Sequence, residues 1–266
     1  MSAGEFELPW DSQPQEAVGL SDFAQSLLCE SVLLPSVSSS LDLQGQLNSV
    51  ASSGSTVASP AGIARSYSNQ GDIYATEGLL DPTNGYWWCC HGHFSAVGTW
   101  SGLMTRTSDD GTGIGWNWQR VSFTDALRVY AGNSFVNIGT LNALLDTVNR
   151  TWVATWRSNG DLRLWRDGVL VRSGTLAVTP TYVSGQGRIR PFQSRDVTLS
   201  SGQWHLLAFG AGRALTDTEG QILSADPWQL FAPQQIDVPR AAGGGRPTLS
   251  ALARTNPLRP RYTWTP

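Results

Sequence analysis

The segment Tyr86-Trp87-Trp88-Cys89-Cys90-His91-Gly92-His93 places two cysteines and two histidines within five residues. Thiolate and imidazole are zinc ligands. On a strand, however, alternate side chains face opposite sides, so Trp87, Cys89, His91 and His93 share one face and Cys90 joins Trp88 on the other. Such a row spaces its ligands roughly 6–7 Å apart, too far for one tetrahedral ion without a bend. The remaining histidine, His205, brings no second Cys or His pair to close the shell. The favoured reading is a core or interface strand with no metal.

Other groups are weighed in the same way. Asp109-Asp110-Gly111-Thr112-Gly113 offers loop oxygens of the kind calcium takes, with Asp109 and Asp110 as candidate ligands. A polar turn between strands is the favoured alternative. The glycines there lack the Lys-Ser/Thr and helix of a phosphate loop. Glycoside hydrolysis needs two carboxylates facing each other across the sugar, whereas Asp72, Asp81, Asp109, Asp110, Asp161 and Asp167 are scattered, mostly in turns. Ser194, Ser200 and Ser201 near His205 lack the strand–turn–helix setting of a nucleophilic serine. No catalytic residue and no cofactor is expected. Trp100, Trp116 and Trp118 lie on or near loops, where indole faces could stack on sugar rings; core filling is the alternative.

The elements that must carry these residues read as strands. The chain has 266 residues, 40% hydrophobic and only 15% charged, with 28 glycines and 12 tryptophans. That composition favours strands joined by turns over a helical bundle. The net charge of −3 provides no global basic field, so no nucleic-acid partner is expected. All 18 basic residues are arginines, suited to bidentate and stacked contacts but explained as well by a GC-rich genome. Cys29, Cys89 and Cys90 form no disulfide framework and fit buried thiols in a reducing compartment. The first 20 residues are acidic and carry Pro9 and Pro14, unlike a secretory signal. No run approaches the roughly 18 apolar residues of a membrane span, so no membrane insertion is expected.

Residues 1–19 are expected to be an extended arm with Trp10 as an aromatic anchor. Ser26–Leu34 is a strand or short helix stopped by Pro35. Modest strand signals stand near Leu41–Leu47 and Thr56–Ser59. Stronger ones span Ile63–Ser68, Asp72–Thr76, Tyr86–Phe94, Leu103–Thr107, Gly115–Arg120, Leu127–Ala131 and Ser134–Gly139. Around Trp152–Trp156, apolar alternation leads through Ser158-Asn159-Gly160 into a hairpin whose Asp167-Gly168 pair favours a type I′ turn. A last strand covers Gln203–Gly210. Thr216-Asp217-Thr218-Glu219 has capping-box spacing and predicts one short helix ended by Pro227. After Phe231 prolines, Gly243-Gly244-Gly245 and Arg240, Arg246, Arg254, Arg259 and Arg261 make a basic arm, 232–266, with Tyr262 and Trp264 near its end.

The stretch WVATWRSNGDLRLWRDGVLVRSG (Trp152–Gly174) resembles the laminin G/concanavalin A-like family. The final strand and helix, FGAGRALTDTEGQILSADPWQLF (Phe209–Phe231), resemble the close of that domain in bacteriophage and prophage virion-associated members. Their Pro-Trp-x-x-Gln-Pro-Gln opening is similar to Pro9-Trp10-Asp11-Ser12-Gln13-Pro14-Gln15. The likeness touches both ends and about two-thirds of the chain between. The Glu-x-Asp-x-x-Glu strand of the family's hydrolytic relatives has no counterpart here.

The resemblance implies a concanavalin A-like jelly-roll β-sandwich over residues 20–231, flanked by extended arms. It also implies a non-enzymatic structural component of a tailed phage particle (capsid decoration, neck or tail appendage), assembled in the bacterial cytoplasm and resident in the virion. Trp10, Pro14, Trp228, Phe231, the five tail arginines, Tyr262 and Trp264 would dock the arms on other virion proteins. Self-association, as the trimers common in such appendages, goes with that expectation. The alternative is a carbohydrate-binding module that meets host-surface glycans through Trp100, Trp116 and Trp118.

Overall fold

A computed structural model of the chain describes residues 20–35, 40–42, 48–51, 55–59, 62–67, 73–75, 81–97, 100–107, 114–121, 126–140, 148–180, 188–192 and 200–231. Helix α1 (Asp22–Ser26) precedes β1 (Cys29–Pro35), β2 (Ser40–Asp42), β3 (Asn48–Ala51), β4 (Ser55–Ser59), β5 (Gly62–Tyr67) and β6 (Ile73–Ala75). The long β7 (Gly85–Val97) follows, then β8 (Trp100–Thr107), β9 (Ile114–Val121), β10 (Ala126–Ala131), β11 (Ser134–Thr140) and β12 (Arg150–Arg157). The chain continues through β13 (Asp161–Arg166), β14 (Val169–Thr175), β15 (Arg188–Pro191), β16 (Ser200–Ala211), helix α2 (Asp217–Ala225) and a 3-10 turn, Pro227–Leu230. The expected arms, 1–19 and 232–266, lie outside the described residues.

These strands form two antiparallel sheets packed face to face, a concanavalin A-like jelly-roll β-sandwich. One is ordered β14-β13-β12-β7-β16-β1-β2, with β5 also pairing β16 and β4 pairing β5. The other is ordered β11-β10-β9-β8-β15-β6-β3. Strand alternation explains the layers. Tyr86, Trp88, Cys90 and Phe94 of β7 face the second sheet, among Trp116, Trp118, Trp152, Trp156 and Trp204. Tyr86 stacks on Trp116 with centroids 4.7 Å apart, and Trp88 meets Trp118 edge-on at 5.8 Å. Trp87 and Cys89 face the other way, into a second apolar layer with Trp165, Leu206, Leu223 and Leu230. There α1, α2 and the 3-10 turn cover the larger sheet.

Local chemistry sets the turns. Asp167 and Gly168 take φ of 51° and 83°, the two positive values that a type I′ hairpin needs. Thr216 accepts from the Glu219 amide at 3.2 Å while the Glu219 carboxylate accepts from the Thr216 amide at 2.8 Å, the expected capping box. Pro227 does more than stop α2: it opens the 3-10 turn, where Asp226 Oδ1 caps the Trp228 amide at 3.1 Å. The run expected as one element at Ser26–Leu34 is split instead. Ser21 caps α1, and Leu28 at φ 51° turns the chain into β1. Leu20 bridges Phe231, and Ser21 N–H donates to the Leu230 carbonyl at 2.9 Å, so the two ends of the described body lie side by side.

Candidate functional site

The outward face of the smaller sheet is built by the same alternation that fills the core. Leu127, Val129 and Ala131 of β10 point inward, as do Trp116 and Trp118 of β9. Their neighbours Arg128, Tyr130, Asn117 and Gln119 therefore face out. Cross-strand register sets Arg190, Thr105, Asn117, Tyr130 and Phe135 in one row over five strands. Gln119, Arg128 and Asn137 form the adjacent row. Thr105 Oγ1 donates to Asn117 Oδ1 at 2.6 Å, and Asn117 Nδ2 donates to Gln119 Oε1 at 2.6 Å. This amide–hydroxyl line is fully buried, so the accessible part of the face lies at β10 and β11.

Its edge is open. Phe135 is 51% exposed, and the Arg128 guanidinium lies over its ring at 3.9 Å. Arg128 Nε donates to Asn137 Oδ1 at 2.9 Å, its Nη1 donates to the Tyr130 hydroxyl at 3.2 Å, and the Tyr130 and Phe135 rings are 5.4 Å apart. A phenyl face, a phenol, a guanidinium and a carboxamide thus converge on one hairpin. An exposed apolar ring beside planar hydrogen-bonding groups is the chemistry that holds a polyhydroxylated ring.

A second cluster lies on the outer face of the larger sheet. His91 and His93 follow Trp87 and Cys89 on that face, as the alternation predicts. His205 joins them through a β-bulge: the register of β16 against β7 shifts between Trp204 and Leu206, so the intervening residue turns outward. The His91 and His205 rings are 5.7 Å apart, and His91 meets Trp228 edge-on at 5.9 Å. Asn149 links two of the histidines, its Oδ1 lying 2.8 Å from His93 Nδ1 and its Nδ2 3.0 Å from His205 Nε2. His91 Nδ1 lies 3.0 Å from Thr151 Oγ1. Burial, reinforced by His205 and opposed by Asp167, lowers the His91 pKa from 6.5 to about 4. Asn149 and Thr151 thus engage the imidazoles, and among the described residues no group of three or more His, Cys, Asp or Glu could hold a metal ion. Cys29, Cys89 and Cys90 are buried free thiols, and burial pushes the Cys89 and Cys90 pKa values up.

An open groove of about 420 Å³ at the start of α2 is lined by Arg157, Ala214, Leu215, Thr216 and Asp217. Its charges serve the fold: Arg157 pairs with Asp217 at 2.7 Å and with Asp161 at 2.8 Å.

The expected sugar-stacking residues are corrected in part. Trp116 and Trp118 are strand residues, 1% and 0% exposed, whose indoles fill the core. Trp118 Nε1 spends its donor on the Tyr86 hydroxyl at 2.9 Å. Neither is placed to meet a ligand. Trp100 opens β8 opposite Val121. Of the expected docking residues, Phe231 is buried in the second apolar layer, and Trp228 is partly buried against that layer. Trp10, Pro14, Arg240, Arg246, Arg254, Arg259, Arg261, Tyr262 and Trp264 lie outside the described residues, as do Asp109 and Asp110. The Arg128–Tyr130–Phe135–Asn137 group was legible in the alternation of Leu127–Ala131 and Ser134–Gly139, which sends those four side chains to one face. The bulge that recruits His205 left no such signal.

No protein-family model matches the chain, and no curated protein matches it. Solved structures do. The binding domain of botulinum neurotoxin DC, in a complex with SialylT, superposes with a TM-score of 0.51 at 12% identity, over 74% of this chain and 50% of that one. The same toxin's binding domain in complex with rat synaptotagmin II gives 0.53 at 12%, over 74% and 51%. The binding domain of Paraclostridial Mosquitocidal Protein 1 gives 0.53 at 13%, over 73% and 51%. The chain spans about half the length of these domains, and at such identities the likeness is one of fold: a β-sandwich shared with the binding domains of toxins.

Proposed function

We propose that this chain is a non-catalytic recognition domain that takes a saccharide of a host surface on the exposed β10–β11 hairpin at the edge of its smaller sheet. The observation that carries the reading is the exposed Phe135 ring, flanked by Arg128, Tyr130 and Asn137. Phe135 is half-exposed beside Tyr130 and Arg128, and its neighbours supply the donors and acceptors that orient sugar hydroxyls. The related fold of binding domains, one solved with SialylT, supports the same class of function. A glycan array probed with the full chain tests it: Phe135→Ala and Arg128→Ala should each lower the bound signal about tenfold or more without moving the melting temperature by more than a few degrees. An array with no specific signal would remove the proposal.

A second reading, a structural part of a tailed phage particle, has its own support. The Asp226-Pro227-Trp228-Gln229-Leu230-Phe231 motif anchors the end of the described body against Leu20. Leu20 and Phe231, the two ends of the described body, therefore lie at neighbouring points. Attachment through segments that extend from these two points would hold the sandwich from one side and leave the β10–β11 edge for display. The two readings are compatible, one concerning what the domain meets and the other what carries it. If deleting residues 1–19 or 232–266 leaves incorporation into particles unchanged, the attachment reading fails.

A further inference from the structure

One end of the larger sheet holds a hydrogen-bond chain that crosses three strands. The β12–β7 ladder closes on the pair Arg150–Gly92, and Asn149, one residue earlier, reaches past that last rung. Its Oδ1 lies 2.8 Å from His93 Nδ1 on β7, and its Nδ2 lies 3.0 Å from His205 Nε2 on β16. His205 is in reach because the β-bulge turns it onto this face, where it is nonetheless buried. One carboxamide thus fastens the entry of β12 to both β7 and β16.

The valence of that bridge limits how many protons it tolerates. A primary carboxamide has one accepting oxygen and an amino group that only donates, and a ring nitrogen donates when protonated and accepts when not. With both imidazoles neutral, one donates to the oxygen and the other accepts from the amino group. A single imidazolium is also held, at the oxygen. Two are not, because the second sets N–H against N–H and leaves buried donors unpaired, at a cost of about 1–3 kcal/mol. His91, its ring 5.7 Å from that of His205, adds like charge when protonated. The carboxylates at this end are already engaged: Asp167 accepts from Arg150 at 3.2 Å and from the Thr151 amide at 2.9 Å, and Asp226 caps the Trp228 amide. Asp161, Asp217 and Glu219 pair with Arg157 and Arg213 toward the opposite end of β12. Glu30 stands beside Gly210, at the far end of the β1–β16 pair. Arg65 lies opposite Trp204, and Arg106 opposite Ile189 and Trp116, all three core residues, so both arginines are on the interior side.

We propose that Asn149 is an acid-released latch, which holds the entry of β12 to β7 and β16 while at most one of His93 and His205 is protonated and lets it go when both are. The latch is closed at neutral pH and opens as pH falls through the range in which the second ring takes its proton. Opening frees the last rungs of the ladder, Arg150–Gly92 and Thr151–His91, while the buried run Trp152–Trp156 stays paired. The latch lies on the larger sheet and does not depend on what the β10–β11 hairpin binds.

The test is amide hydrogen exchange of the full chain between pH 7 and pH 4, read as protection factors at Asn149–Thr151 relative to Ala154 in the buried part of the same strand. That ratio removes any global loss of stability. It should fall about tenfold or more on acidification, the equivalent of one lost hydrogen bond to a charged group. The chain has three histidines, so ring-nitrogen chemical shifts on the same samples report when His93 and His205 are both charged, and the fall should coincide with that point. Asn149→Asp supplies an accepting oxygen to each ring and should abolish the fall; His205→Gln, which removes one titrating ring, should do the same and serves if the first variant folds poorly. A ratio that does not change with pH overturns the latch, as does protection that persists with both rings charged. A fall of the same size in both variants overturns it as well.

Discussion

Gly220 sits inside α2, where alanine would ordinarily stabilise the helix by about 1 kcal/mol. A Cβ at this position, however, would lie 2.7 Å from three atoms of the Trp165 indole. Trp165 is fully buried between the helix and the larger sheet, among Trp87, Val153, Leu206 and Leu223. The ring therefore cannot swing aside, and the helix must lift from the sheet. Overpacking of this kind costs about 1–3 kcal/mol, which outweighs the gain in propensity. Gly220→Ala should lower stability by about 1 kcal/mol net, a fall of about 2–4 °C in melting temperature for a domain of this size. Urea unfolding followed by tryptophan fluorescence measures it. In a Trp165→Leu background the steric term is removed, and the same Gly220→Ala change should then stabilise, giving a positive coupling between the sites. A rise in stability on Gly220→Ala in the wild-type chain would refute the packing of α2 on Trp165.

Two further outcomes follow from the described contacts. Because the folded state holds His91 neutral to about pH 4, its contribution to stability is fully present above the ordinary value near 6.5 and is lost as pH falls from 6.5 toward 4. The loss should amount to about 2–3 kcal/mol. Urea midpoints at pH 7 and pH 4.5 should differ less in His91→Gln than in wild type, and identical differences would contradict the buried, neutral imidazole. Trp118→Ala should cost about 3–5 kcal/mol by opening a core cavity, so any loss of ligand binding in it should track unfolding in denaturation curves. Lost binding with unchanged stability would instead place Trp118 in a site.

Much of the scaffold was legible because its determinants are local. The Asp167-Gly168 turn and the Thr216–Glu219 capping box each depend on a few adjacent residues. The opposite faces of β7 follow from its two-residue period. What sequence reading missed depends on contacts between distant segments. Strand β15 is four residues ending in Pro191, and it is a strand only because β8 and β6 supply its partners. Strand β3 likewise exists through β6. The 3-10 turn forms because Asp226 caps the Trp228 amide, while the buried Phe231 anchors the chain beyond it. The tryptophans misled for a physical reason: indoles beside a glycine-rich turn look exposed, yet strand alternation sends both Trp116 and Trp118 inward. The same alternation gives the outward face of Arg128, Tyr130, Phe135 and Asn137.

The most direct test of the recognition account is the glycan-binding signal of Phe135→Ala beside that of wild type, with melting temperatures measured on the same samples. The account predicts specific binding by the wild-type chain, reduced about tenfold or more in the variant while its melting temperature stays within a few degrees. Wild-type binding that survives intact in Phe135→Ala would contradict the placement of the site on the smaller sheet, and an absence of wild-type binding would contradict saccharide recognition altogether.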